Sequence, residues 1–280
     1  MRKKICYAIV FCTLALILVG CSYTNIASSH TQDSTKKRIL TKEKMDTNRI
    51  RIGTFNLASM KDPDFDAQNR LINNTKAEIV GLQELDYYTK RQNVNMLKEI
   101  AQKDFPIFKF SKAIDWEDQG EYGIGIISKY KIQNYDSGIY NKTGEEDRTW
   151  QKITINTNNN KKLSIYNTHL SFETIDIRKS QINELLNIVK KDPAEYKVIV
   201  GDFNIDQSKD EWKIFTDKGY KISNGKNNKW YDTYTGRDET MKVFSVDNIV
   251  VSDNIEIKRV NMTVSPVSDH NMLYSDLVLN

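Results

Sequence analysis

Carboxylates, side-chain amides and imidazoles closing apolar runs are the residues of this chain that could do chemistry. They stand in four clusters: Thr54-Phe55-Asn56, Leu82-Gln83-Glu84, Gly201-Asp202-Phe203-Asn204 and Ser268-Asp269-His270. Two of the three histidines, His169 and His270, fall at such places. Strand ends can hold polar side chains rigidly and aim them at one point. Carboxylates, amides and imidazoles without a reactive thiol point to metal-assisted hydrolysis of a phosphate ester.

Each residue has a plain alternative. Glu84 ends the run Ile79-Val80-Gly81-Leu82-Gln83. A carboxylate next to a core strand is costly unless it is paired or binds a cation. It reads as a ligand for a hard divalent cation or as a solvated glutamate past a strand end. Asp202 and Asn204 follow Val198-Ile199-Val200-Gly201. Residues i and i+2 of an extended chain share a side, so both can face one pocket; an Asx turn is the other reading. His169 and His270 can move a proton or donate to a phosphate oxygen. Each then needs a partner to fix its tautomer, and Asp247 is a candidate. A lone histidine is more often structural, but these occur with four polar clusters in a chain poor in histidine.

Strand-like runs expected to position these groups are 50–56, 77–82, 123–128, 150–156, 163–168, 197–201, 246–251 and 272–279. Helical spacing appears at Val94, Leu97, Ile100 and Ala101, at Ile182, Leu185, Leu186 and Val189, and near 210–218 with Trp212 and Phe215 on one side. The polar stretch 156–162 marks a hairpin turn. Irregular alternation without a βαβ rhythm predicts an α+β sandwich. No linker divides residues 49–280, so one domain is expected there.

The first 48 residues are not fold. Arg2, Lys3 and Lys4 precede the uncharged run Ile5–Val19. That run is shorter than the roughly 20 residues that span a bilayer and matches a secretory signal. Leu18-Val19-Gly20-Cys21 resembles a bacterial lipobox. It implies a signal peptide over 1–20, lipidation of Cys21, and export to the outer face of a bacterial cell membrane. Cys6 and Cys12 leave with the signal, so the mature chain keeps no free thiol. Residues 21–48 read as a polar tether. The net charge of +4 comes from this segment: it holds 8 Lys+Arg against 3 Asp+Glu, leaving 33 basic and 34 acidic residues beyond it. A nearly neutral domain lacks the global basic excess that drives counterion-release binding to nucleic acid.

The clusters belong to an ordered series: Gly53-Thr54-Phe55-Asn56, Gly81-Leu82-Gln83-Glu84, Tyr122-Gly123-Ile124-Gly125-Ile126-Ile127-Ser128, Asn167-Thr168-His169-Leu170, Gly201-Asp202-Phe203-Asn204, Val246-Asp247-Asn248-Ile249 and Ser268-Asp269-His270. The series resembles the endonuclease/exonuclease/phosphatase superfamily over about residues 49–280. The resemblance implies a four-layer α/β/β/α sandwich with two mixed, mainly antiparallel sheets packed face to face. It implies Mg²⁺ or Mn²⁺ at Glu84, with Asn56 and Asp269 near the ion. Asp202 would orient or deprotonate water, and Asn204 would hold a phosphoryl oxygen. His270 with Asp247 would serve acid–base catalysis or bind the phosphate, and His169 would stabilise its charge. Arg148 would contact phosphate, and Glu121 would orient His169.

Substrate choice lies in the rim segments 113–120, 140–150, 172–177 and 224–240. There Trp116, Trp150, Trp230, Tyr231 and Tyr234 either stack on substrate or pack as core. Gln83-Glu84-Leu85-Asp86 departs from the Gln-Glu-Thr-Lys form common in abasic-site repair enzymes. Three enzyme readings follow: an extracellular nuclease, which is preferred, a sphingomyelin or phospholipid phosphodiesterase, and an inositol-phosphate phosphatase. A catalytically silent binding lipoprotein is the non-enzyme alternative, and a monomer is expected.

Overall fold

The computed structural model describes residues 48–59, 62–236 and 244–280. The expected signal peptide, Cys21 and nearly all of the tether lie outside the described residues.

Among the described residues, twelve strands form two six-stranded sheets. In chain order they are β1 (Arg49–Asn56), β2 (Ile79–Tyr87), β3 (Ile107–Asp115), β4 (Glu121–Ser128), β5 (Ile132–Ile139) and β6 (Thr149–Asn156). There follow β7 (Lys162–His169), β8 (Tyr196–Asp202), β9 (Lys221–Ile222), β10 (Asp247–Val251), β11 (Ile255–Thr263) and β12 (Met272–Leu279). The first sheet runs β11-β12-β1-β2-β4-β3 and the second β5-β6-β7-β8-β10-β9. Each has one parallel pair at its centre, β1/β2 and β7/β8; all other pairs are antiparallel. The hairpin joining β6 and β7 pairs Asn156 with Lys162, closing at the polar stretch read as a turn.

Three apolar clusters fix the layers. Ile52, Ile79 and Leu273 of the first sheet meet Ile165, Val198 and Ile249 of the second, so one core lies between the sheets. Helices α1 (Phe65–Asn74) and α2 (Met96–Ala101) bury Leu71, Ile72, Leu97 and Ile100 on Val80 and Leu82 of β2. Helices α3 (Ile175–Lys191) and α4 (Trp212–Thr216) bury Leu185, Val189 and Phe215 on Tyr166 and Ile199. The result is the expected helix–sheet–sheet–helix sandwich. Every expected strand and helix forms, but β2 runs five residues past its expected end and includes Glu84, and Val94 precedes its helix.

The strands that pattern reading misses share a cause. Strands β3, β5, β9 and β11 are all sheet edges. Strand β5 carries no fully buried residue, so burial imposes no period-2 signal on it. Helix α1 buries the polar Gln68 and Asn69, which blurs its apolar stripe, although Asp64 caps it by accepting from Ala67 N.

Candidate active site

Parallel pairing brings two C-terminal strand ends to the same sheet edge. In the first sheet Asn56 lies opposite Gln83. In the second, His169 lies opposite Asp202, and antiparallel β10 starts there with Asp247 also opposite Asp202. The turn 268–270 before β12 is tied to the same edge, because Ser268 Oγ donates to Asn56 O at 2.7 Å. All four sequence clusters thus meet at one mouth of the sandwich.

Glu84 reaches that mouth through a β-bulge. By strict alternation it would face the helix layer with Val80 and Leu82. Instead Leu82 pairs with Gly125 but Leu85 with Gly123, so β2 holds one extra residue. Glu84 takes φ of +58°, a conformation that costs on the order of 1–3 kcal/mol for a non-glycine residue. The bulge turns its carboxylate into the cleft while Leu85 returns to the core. Just before it, the sheets close tightly. A Cβ on Gly81 would lie 2.4 Å from Val200 Cγ2 and 2.7 Å from Asn167 Oδ1. Gln83 Nε2 donates to Asn167 Oδ1 at 2.7 Å, and Asn167 Nδ2 donates to Leu82 O and Gly125 O. These buried amides brace the two sheets behind the site.

Asp202 Oδ2 is the hub. Asn56 Nδ2 donates to it and to Glu84 Oε1, both at 3.0 Å. The Nε2 atoms of His169 and His270 each lie 3.7 Å from it. Its other oxygen accepts from Asn204 N at 2.9 Å. Asn204 Nδ2 uses one proton on Leu170 O at 2.8 Å, and the residue lines the cleft. Burial, then the Asp247 charge, push the Asp202 carboxyl up to about 6.

The two histidines are held in opposite states. His270 Nδ1 donates to Asp247 Oδ2 at 2.9 Å. Burial lowers its pKa, but Asp247, Asp202 and Asp269 more than offset this and raise it to about 10. His169 Nδ1 lies 3.2 Å from Arg148 Nη1. A guanidinium only donates, so Nδ1 accepts and the proton of neutral His169 sits on Nε2, facing Asp202. Burial, then the Arg148 and His270 charges, hold His169 well below the ordinary histidine value. Long-range ¹⁵N NMR of the metal-free protein is therefore expected to show His270 protonated at pH 7, losing its proton only as pH rises towards 10. His169 should be neutral at pH 6. Equal titration of both near 6.5 would contradict this geometry.

A divalent cation fits this donor set. Asp269 Oδ1 is buried with no hydrogen-bond partner among the described residues. Burial, together with the Asp202 and Asp269 charges, raises the Glu84 carboxyl despite the Asn56 bond and His270. The cluster is short of positive charge, and its oxygens suit a hard ion. Asn56 Oδ1 accepts from Ala58 N and keeps a second lone pair. Asp202, Asp247 and His270 also place one potential ligand atom each within 4.8 Å of one another. Asp247 Oδ1 is likewise buried with no hydrogen-bond partner among the described residues, so that group is a second candidate cation site.

Glu121 does not orient His169. It lies 3.8 Å from Lys112 Nζ and lines a separate hollow with Tyr88 and Asp115. The alternation of β4 sends the next residue, Tyr122, into the cleft instead, and Arg148 sets the His169 tautomer. Tyr122 and Arg91 are cleft residues that sequence reading missed; the only signal was Tyr122 heading its motif. Among the rim aromatics, Trp116 lines the cleft and Tyr234 packs on the His270 ring at 5.0 Å. Trp150 is buried in the second sheet's outer core, Trp230 packs on Trp212, and Tyr231 packs on the inter-sheet core.

The architecture recurs in solved structures. A mannosyl-6-phosphatase of Bacteroides thetaiotaomicron superposes with a TM-score of 0.63 at 16% identity, covering 82% of this chain and 99% of that one. The human Nocturnin catalytic domain with bound sulfate gives 0.63 at 17%, covering 83% and 94%. TDP2 of D. rerio complexed with single-strand DNA product gives 0.65 at 15%, covering 82% and 98%. A search of curated proteins finds no match. A model of the Endonuclease/Exonuclease/phosphatase family matches residues 53–270, from the first motif to His270. With those motifs converging on one cleft, the chain belongs to the endonuclease/exonuclease/phosphatase family, whose members are phosphoester hydrolases.

Proposed function

We propose that this protein is a divalent-metal-dependent phosphodiesterase, with nucleic acid as its first-choice substrate, exported and anchored to a bacterial membrane through lipidated Cys21. The observation that carries the catalytic reading is the convergence of Asp202, Asp247–His270 and Arg148–His169 on a cleft of about 600 Å³ that also holds Glu84 and Asp269. Mg²⁺ or Mn²⁺ bound by Glu84, Asp269 and Asn56 would neutralise charge developing on the phosphoryl oxygens. Asp202, with a raised pKa, orients a water through Oδ2 and accepts its proton. The His270 imidazolium, kept charged by Asp247, donates to the phosphate or to the departing oxygen. Neutral His169 donates from Nε2 to a non-bridging oxygen. Asn204 has one N–H left for the same phosphate.

A second reading, a phosphomonoesterase on a phosphorylated sugar or inositol, is favoured by the cleft's charge. Both cleft guanidiniums are ion-paired, Arg91 with Asp86 and Arg148 with Glu146. One fold neighbour is a sugar phosphatase. The anchor is compatible with either.

The test is incubation of the purified chain with plasmid DNA, sphingomyelin and inositol phosphates, each with Mg²⁺ or with EDTA. Nicking of DNA with Mg²⁺ alone is the expected result. Release of phosphate from inositol phosphates alone would select the second reading, and no product from any substrate would favour a binding lipoprotein. Cys21→Ser should move the protein from the membrane fraction to the soluble one.

A further inference from the structure

The cleft holds a second guanidinium that the reaction above does not use. Arg91 follows β2, seven residues beyond Glu84 in sequence. Its Nε donates to both oxygens of Asp86, at 3.1 and 2.9 Å, and Asp86 is 1% exposed. Its guanidinium lies 3.7 Å over the Trp116 ring and 5.7 Å from the Tyr122 ring centre. Buried acid and indole together fix the side chain in one place on the cleft wall.

Pinning the loop accounts for only part of this. A guanidinium has five N–H donors, and Asp86 engages the one on Nε. Nη2 is buried with no hydrogen-bond partner among the described residues, and a buried unsatisfied donor is costly. The side chain as a whole is 31% exposed and lines the cleft, so its remaining N–H donors are open to an acceptor-rich group there. Tyr122 lies beside Arg91, its ring centre 5.7 Å from the guanidinium. Arg91, Tyr122 and Arg148 all line the cleft. Arg148 is committed to His169 and Glu146, which places it with the phosphate being cleaved. Arg91 shares none of those contacts; its own partners are Asp86 and Trp116.

We propose that Arg91, held by Asp86 and Trp116, is a second phosphate subsite that binds a phosphate group neighbouring the phosphoester under attack. This rests on the phosphoester-hydrolase reading and narrows it. The preferred substrate carries two phosphates, as neighbours in a nucleotide strand or on one sugar. A planar fork of donors suits phosphate oxygens bidentately, and the stacked indole keeps the fork oriented.

Calorimetry on the whole chain in EDTA tests this without turnover. The probes are thymidine 3′,5′-bisphosphate against thymidine 5′-monophosphate, and glucose 1,6-bisphosphate against glucose 6-phosphate. The wild type is expected to bind a bisphosphate about tenfold tighter than its monophosphate, the size of one charge-assisted contact. Arg91→Gln should bring that ratio to about one, and Arg91→Lys should keep part of it. The pair showing the preference identifies the source, strand or sugar. Thermal melting checks that the variants fold. Equal ratios in wild type and Arg91→Gln, or no preference in the wild type, would overturn the subsite. Arg91-dependent preference with no hydrolysis of any phosphoester in Mg²⁺ would keep the subsite and remove the hydrolase reading. Hydrolysis without the preference would do the reverse.

Discussion

Asp202→Asn is expected to lower kcat by about 10²-fold or more, the usual size of a general-base contribution, while leaving the fold intact. The amide matches the carboxylate in shape and can still accept from Asn204 N, which now bonds Oδ1 at 2.9 Å. What it cannot do is take a proton from water. The native carboxylate is also a strained choice for the fold. It is 2% exposed, and burial and Asp247 both disfavour its charge. Neutralising it removes that repulsion but turns an amide NH2 toward Asn56 Nδ2, which now donates to Oδ2 at 3.0 Å. The two effects oppose, so thermal stability should change little. Loss of rate with a retained melting temperature is the pattern expected where a site holds charge for function rather than for stability. Undiminished hydrolysis with a native circular dichroism spectrum would remove Asp202 from the reaction.

Glu84→Gln tests the cation site in a different way. Outer-shell changes at metal sites typically cost about 10–100-fold in affinity or activity, and loss of a direct carboxylate ligand should cost at least that. The bulge that aims residue 84 needs no carboxylate, and glutamine keeps the oxygen that accepts from Asn56 Nδ2. The variant should therefore fold. Two measurements separate binding from chemistry. Activity at low Mg²⁺ should fall by at least 10-fold and recover in part at high Mg²⁺. The rise in melting temperature that Mg²⁺ gives the wild type, about 2.7 kcal/mol of stabilisation at a hundred times Kd, should disappear at the same concentration. An unchanged Mg²⁺-induced shift would place the ion elsewhere, with the Asp202, Asp247 and His270 group as the next site to test.

The central strands were legible because they are buried on both faces. Val198, Ile199 and Val200 are all fully buried, two facing the other sheet and one facing α3, so the run reads as unbroken hydrophobicity. Edge strands such as β5 bury too little for any pattern to survive in their sequence. Residue types beside apolar runs likewise marked Asn56, Glu84, Asp202, Asp247, Asp269 and His270, because a polar group next to such a run is conspicuous in one dimension.

Amino-acid order by itself determined the central strands and the set of polar groups beside them, since burial writes directly into hydrophobic patterning; the four layers followed from the family resemblance. Only the tertiary structure decided how those groups face one another. An extra residue in β2 swings Glu84 out of the helix layer. One step of alternation in β4 exchanges Glu121 for Tyr122 at the cleft. Arg148 rather than a carboxylate meets His169, which makes that histidine a neutral donor while His270 stays charged. Protonation and aim depend on neighbours up to two hundred residues apart, and no local pattern encodes the distance between them.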